Sequence, residues 1–422
     1  MNFQIVKKDT MRWIATAIMT GTSLSGCGVS PQRTISAPAP SRTTNPGTSV
    51  SINTPAVTRA SHVVITSFQF VNRNQGWAVG YQHGHTGQIA TMWKTDDAGS
   101  TWISTHLTGI SPEYIHMENT KRGWLVGLST LHSSQHAVLF ETPNGGRSWK
   151  FERTFQLPSG LSTEQIRSSL SNAAMCFPTN RFGWLTIQGR LYHTSDGGNI
   201  WNLASQPGII LHISSISHNV MAIGFSRIWA WDNRHHTWVS RYTLPQNLQQ
   251  AFYGIRNPHT LSAYLPRNQI TFSSSRTGYA IFISPNGSMQ GQDYLIVRSQ
   301  DGGHSWRTIG GSFVDNPKDR ENTRELPAGY INAMDAVPGG EVFVGMVLPF
   351  PYPMLGMMSS NLAWSWISDG LHAPAGWRKG TLNAMQWLTS SAGWVIVQDP
   401  AGEDIMLRTH GKRDYWVDIT PR

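Results

Sequence analysis

A pair of short motifs returns four times along this chain, and a repeat of this kind limits the fold more than any single residue does. "FQFVNRNQGWAVG" is followed by "MWKTDDAGSTW", "IHMENTKRGWLVG" by "LFETPNGGRSW", "MCFPTNRFGWLTI" by "LYHTSDGGNIW", and "ITFSSSRTGYAIF" by "IVRSQDGGHSW". Each copy reads as an alternating strand, a polar turn, and a second strand opened by Gly and an aromatic residue. A third strand follows, then a turn of the form Ser/Thr-x-Asp/Asn-x-Gly that ends in Trp. The spacing holds too: 26 residues separate Gly76 from Trp102 and Gly123 from Trp149, and 28 separate Gly278 from Trp306. Gly183 and Trp201 are 18 apart, because the middle hairpin of that copy is tight.

Three weaker copies fill the remaining length. "SISHNVMAIGFSRIWAWDNRHHTW" ends at Trp238, "INAMDAVPGGEVFVGMV" runs on to "WSWISDGLHAPAGW" at Trp377, and "NAMQWLTSSAGWVIV" leads to "MLRTHGKRDYW" at Trp416. Repeated four-stranded units of about 40–50 residues are what a propeller needs. The expectation is an all-β chain with a single β-propeller of seven four-stranded blades, six or eight following if the weak units are divided differently. Eighteen tryptophans and forty glycines suit strands joined by tight turns better than a helical enzyme.

The acids in the repeated turns invite a catalytic reading. The turns comprise Thr95, Asp97, Gly99 and Trp102; Thr142, Asn144, Gly146 and Trp149; Thr194, Asp196, Gly198 and Trp201; and Ser299, Asp301, Gly303 and Trp306. Asn144 decides the matter: an amide accepts the same turn hydrogen bonds as a carboxylate but serves neither as general base nor as strong metal ligand. Ile200 replaces the second hydroxyl in the third copy, so the motif also tolerates loss. These residues are expected to shape turns, with Gly supplying positive φ and Trp covering apolar surface between strands or blades.

On these residues the turns resemble the Asp-box, or BNR, repeat of sialidase-like and sortilin-type propellers. The pairing of "GWAVG" strands with "DGG" turns is most similar to photosystem II assembly factor-like propellers. The resemblance covers nearly all of residues 61–420 and implies an architecture; function sits in sites grafted onto a fold. A sialidase would need an arginine cluster, a tyrosine with a glutamate beside it and an acid/base aspartate. The Arg-Ile-Pro segment of that family is missing, and Glu113, Glu118, Glu141, Glu164 and Glu403 form no pair in the sequence. The seven-bladed xyloglucan hydrolases use two propellers, more than this chain can hold.

Residues 1–26 resemble a bacterial lipoprotein signal peptide: Lys7, Lys8 and Arg12, then the apolar "WIATAIM", then "LSGC" closing at Cys27 as the lipidation site. Residues 27–60 are rich in Ser, Thr, Pro and Ala and read as a lipid-anchored flexible tether; residues 61–422 form the folded domain. The formal charge of +9 falls to about +7 without the leader, whose three cations oppose Asp9 alone. A basic exported surface points to anionic lipid or wall polymer; with no dense Lys/Arg block, nucleic acid is not an expected partner. Cys176 has no partner once Cys27 carries lipid and reads as a buried apolar group.

Other candidates are weaker. His83, His85, His132 and His136 fall in equivalent loops and read as solvated rather than as a metal site, and no cofactor is expected. Long insertions fall on the face opposite the repeated turns: after unit two, at 242–268, at 311–329, and inside unit six. The last is an apolar loop with Phe350, Tyr352, Met354, Leu355 and Met357, a candidate partner-binding segment. On the turn face, Arg73, Arg122, Arg181 and Arg276 precede the Gly-aromatic pair and suggest a broken basic ring for an anionic partner. The sequence therefore reads as a non-catalytic binding or assembly scaffold on the extracytoplasmic face of a bacterial membrane, with a protein partner. A carbohydrate-binding or glycan-cleaving propeller is the alternative.

Overall fold

The computed structural model describes residues 62–421, apart from 85–86, 131–135, 158–159, 254–266, 289–290, 313–323, 327–328, 348–352, 368–379, 400 and 411. The leader and tether expected at 1–60, Cys27 among them, lie outside the described residues, as do His85, His132, Phe350 and Tyr352. Seven antiparallel sheets follow one another along the chain, at residues 63–106, 110–156, 174–203, 212–243, 269–325, 330–366 and 381–418. They are the seven blades of a β-propeller. Each is a four-stranded meander; the fifth adds a two-residue parallel strand, Arg324–Glu325.

The first strand of each blade lies innermost, beside the first strands of its neighbours. Val63–Phe70 of blade 1 carries polar Thr66, Ser67 and Gln69, all half-buried. The second strands are covered on both faces by adjacent blades, so they read as unbroken apolar runs; every residue of Gly123–Leu128 is buried. Glycine opens these strands for a steric reason. A Cβ on Gly76 would lie 2.5 Å from the Phe70 ring, and on Gly183 2.4 Å from Phe177. In these two blades a phenylalanine ring stands at or just after the end of the first strand, and the facing residue must leave room for it.

Among the described residues, blades 1 and 7 are each built from consecutive strands and share none. The ring closes through side chains instead. Phe70 stacks on Trp394 at 4.1 Å, amid a core shared by Ile65, Trp93, Ile396, Met406 and Ile419. The Gln386 amide accepts from Phe70 N and donates to Phe70 O, at 2.6 and 2.8 Å. Arg408 donates to Ala98 O and Trp102 Nε1 to Ile419 O. The same device recurs elsewhere: Gln69 bridges both backbone groups of Met117 between blades 1 and 2.

Two insertions fold as helices. Helix α1, Thr163–Ser171, follows blade 2 and is capped at Ser162 by a reciprocal bond with Gln165; Ile166 and Leu170 enter the core of blades 2 and 3. Helix α2, Gln246–Tyr253, follows blade 4 and buries Leu248, Phe252 and Tyr253 against blades 4 and 5.

The apolar segment of unit six requires a correction. Pro353–Met358 is the third strand of blade 6, paired with Glu341–Val347, and not a loop. Leu355 and Met357 are buried at 0% and 7% exposure, in the core shared with blade 7, and Met354 stands opposite Met346. The run is apolar because the strand is covered on both faces, a pattern that sequence periodicity cannot separate from an exposed apolar loop. The fourth strand of that blade is Trp364–Trp366, well before Trp377.

Candidate binding faces and buried polar clusters

The four repeated turns share one hydrogen-bond pattern. In the third, Thr194 Oγ1 donates to Asp196 Oδ1 at 2.8 Å, Gly198 N donates to Thr194 Oγ1 at 2.8 Å, and Ile200 N donates to Asp196 Oδ1 at 3.0 Å. Asn144 repeats it: its Oδ1 accepts from Thr142 Oγ1 and Ser148 N, and its Nδ2 donates to Ser148 Oγ at 2.8 Å. Asp97 and Asp301 accept the hydroxyls of Thr101 and Ser305, which, with the backbone N–H bonds, holds both carboxyls below the usual range. Asp196 is also lowered: burial raises it, but the hydrogen bonds outweigh that. All four side chains are occupied by their own turns.

Each turn is also joined to the first turn of its own blade. Ala98 N donates to Asn74 O, Gly145 N to Lys121 O, Gly197 N to Arg181 O and Gly302 N to Arg276 O, at 2.6–2.8 Å. The two turns therefore share a face. The turn glycines press against the preceding blade: a Cβ on Gly146 would meet Met92 Cε at 2.8 Å, and one on Gly198 would meet Trp124 Nε1 at 2.9 Å. Trp149 and Trp201 sink into the same blade junctions, and Trp77 Nε1 reaches Gly145 O.

The arginines do not form one ring of equivalent positions. Arg122 is bound between blades 2 and 3: its Nε lies 2.8 Å from Glu141, Nη1 lies 3.7 Å from Glu118, and its guanidinium covers Trp124. Arg73, Arg181 and Arg276 are exposed, and the four arginines stand one to three residues before the following glycine. The turn face thus offers scattered charges over short, self-satisfied turns.

The opposite face carries α1 and α2. Beneath α1 lies a polar cluster that the sequence did not reveal. Arg167 Nε lies 2.7 Å from Glu113 Oε1, Tyr81 donates to the same carboxylate at 3.1 Å, and Ser111 meets both. The Arg167 guanidinium lies over the Tyr81 ring at 4.6 Å. Burial raises Glu113 despite the Arg167 charge, and burial together with Glu113 raises Tyr81. The cluster ties α1 to blades 1 and 2 across their seam. Only periodicity within the 160s, apolar at 166 and 170 with Arg between, hinted at it.

Two other buried carboxyls bridge blades. Asp335 accepts from Ala336 N and, in blade 7, from Trp387 N at 2.7 Å; Asp404 of blade 7 accepts from Ile65 N of blade 1 at 2.6 Å. Burial pushes both up to about 6. Elsewhere Glu118 and Glu141 flank Arg122, and Glu152, held by Lys150, feels the charges of Glu141 and Asp196. The sequence showed no such grouping, because its members come from separate strands. Cys176 is buried as expected, its thiol pushed up to about 12 by desolvation. His83 packs edge-on to His62, and His136 sits on the third strand of blade 2. Among the described residues no three His, Cys, Asp or Glu side chains are grouped to hold a metal ion.

No family model and no curated protein matches the chain. Solved structures match by shape. The GH74 enzyme of Niastella koreensis is 11% identical with a TM-score of 0.39, over 84% of this chain and 65% of that one. An ancestral GH74 enzyme is 13% identical at 0.48, over 89% and 48%. The WD40 β-propeller domain of Doa1 is 11% identical at 0.48, over 86% and 98%. This chain thus spans less than two thirds of either GH74 enzyme. At these identities the likeness concerns the propeller fold alone.

Proposed function

We propose that the chain is a non-catalytic binding or assembly scaffold: an Asp-box propeller carried outward as a lipoprotein, anchored through Cys27 and tethered by residues 28–60. The helix-bearing face binds a protein partner. One observation carries this reading: α1 and α2 are seated by buried contacts on the face opposite the short turns, leaving Glu164 and Ser168 of α1 exposed. Helices fixed on a rigid scaffold present a preformed surface, which lowers the entropic cost of association. His62, the first described residue, packs against His83 and pairs with Glu403, in second-to-third-strand hairpins of blades 1 and 7.

The test is cross-linking of the full chain in its native membrane, comparing wild type with Glu164→Arg/Ser168→Arg on α1 and with Arg147→Glu on the turn face. Loss of one defined protein adduct in the α1 variant alone supports the reading. Loss only in the turn-face variant moves the binding site there. Labelled acyl incorporation in a Cys27→Ala chain tests the anchor separately.

A glycan-directed reading rests on the carboxylates gathered around Arg122, since glycoside cleavage needs two positioned acids. Turnover of sialosides or β-glucan oligosaccharides by the purified chain, abolished by Glu141→Gln, would establish it in place of the scaffold.

A further inference from the structure

The seam between blades 1 and 7 joins the first and last of the described blades. Among the described residues it shares no strand, and it relies on side-chain contacts across an apolar core. Asp404 sits within it. The residue is 4% exposed, and its Oδ2 accepts from Ile65 N of the opposite blade. No cation faces it in the described ion pairs. On its own strand, Arg408 is committed to Ala98 O; on the adjoining hairpin, Asp399 contributes a further carboxyl group and Glu403 is paired with His62. From blade 1, His62 and His83 lie nearby with ring centroids 6.1 Å apart. From blade 7's first strand comes Asn383, a neutral amide.

A carboxyl in these surroundings is accommodated neutral more readily than ionised, because the ionised form places an unbalanced charge between two apolar blade faces. We propose that Asp404 is a proton-operated latch on the ring: the blade 1–7 seam is tight while the carboxyl is neutral and loosens when it ionises. Burial, with the Asp399 charge adding to it, pushes this group up to about 6 against the opposing bonds from Ile65 and Asn383. The sign follows from linkage. A carboxyl raised in the closed seam binds its proton more tightly there than in the opened one, so closure is strongest in acid and weakens as pH rises through about 6. With an ordinary carboxyl near 3.9 in the open seam, opening becomes about tenfold more populated at pH 7 than at pH 5. This runs opposite to the repeated turns, whose lowered carboxyls lose their bonds in acid.

Hydrogen exchange read at Ile65 and Ile419 in the full chain, after correction for the intrinsic pH dependence of exchange, measures the seam directly. His62 and His83 lie at the same seam, so both comparisons are made in a His62→Gln/His83→Gln background. Seam protection should rise about tenfold from pH 7 to pH 5. Asp404→Asn, which keeps an acceptor for Ile65 N and carries no charge, should show high protection at both pH values. Protection that is flat or falls on acidification in the background chain overturns the proposal. So does a tenfold change that survives in Asp404→Asn. An Asn chain that fails to fold at either pH would show that the seam requires the carboxylate, which also overturns it.

Discussion

Asp196 tests the claim that the repeated acids are structural. Its Oδ1 alone receives both turn bonds, from Thr194 Oγ1 at 2.8 Å and Ile200 N at 3.0 Å. Asp196→Asn keeps that oxygen and both bonds, as Asn144 already does in blade 2. Asp196→Ala removes both and strands the donor of Thr194, which is 0% exposed. At about 1 kcal/mol per bond, trimmed for the partial exposure of Asp196, the Ala variant should lose about 2 kcal/mol, and the Asn variant less than about 0.5 kcal/mol. Unfolding entropy of about 2.1 cal/mol/K per residue over this domain turns the former into a fall in Tm of about 3 °C, and the latter into less than about 1 °C. Differential scanning fluorimetry on the many tryptophans reads both. The pH dependence adds a second check. The Asp196 carboxyl is lowered, so its stabilisation is present above the ordinary carboxylate range near 4 and is lost as pH falls through the native value. The Asn variant should lack that loss and match or exceed wild type at pH 3. If Asn proved as damaging as Ala at pH 7, the negative charge itself would be required, and the turn-shaping account would be refuted.

Other expectations follow from particular contacts. Ala98 adopts φ of 63° where the other three strong turns have Gly145, Gly197 and Gly302; Ala98→Gly should stabilise the chain by about 0.5–1 kcal/mol, read as a higher denaturant midpoint. Arg167→Met strands the buried Glu113 carboxylate and should cost about 2–4 kcal/mol, with Arg167's partial exposure keeping it below a fully buried break; faster exchange over α1 checks it. Leu355→Ala should destabilise by about 2–5 kcal/mol in chemical denaturation. A variant that stayed stable and lost binding would restore a docking role for that segment.

The sequence by itself determined the blade. Alternation, the Gly-aromatic opening and the Asp/Asn-Gly turn are local rules, set by the pleat, by a ring that needs space and by a positive φ, and they can be read wherever they recur. The seven-fold count followed from the same rules, because even a degraded unit keeps its strand periodicity. Asn144 pointed to a turn-shaping role for the acids, because an amide satisfies a turn and not a proton transfer. What tertiary structure alone decided is whatever depends on neighbours. Leu355–Met358 is apolar in either setting, and only the covering of one face by blade 7 and the other by blade 5 made it a buried strand. Arg122 and Arg181 look alike in sequence, yet one is bound between Glu118 and Glu141 while the other stays exposed. Glu113 meets Arg167, and Ile65 meets Asp404 across 339 positions of chain. Closure of a ring brings together residues with no sequence relation, and burial then fixes their charge.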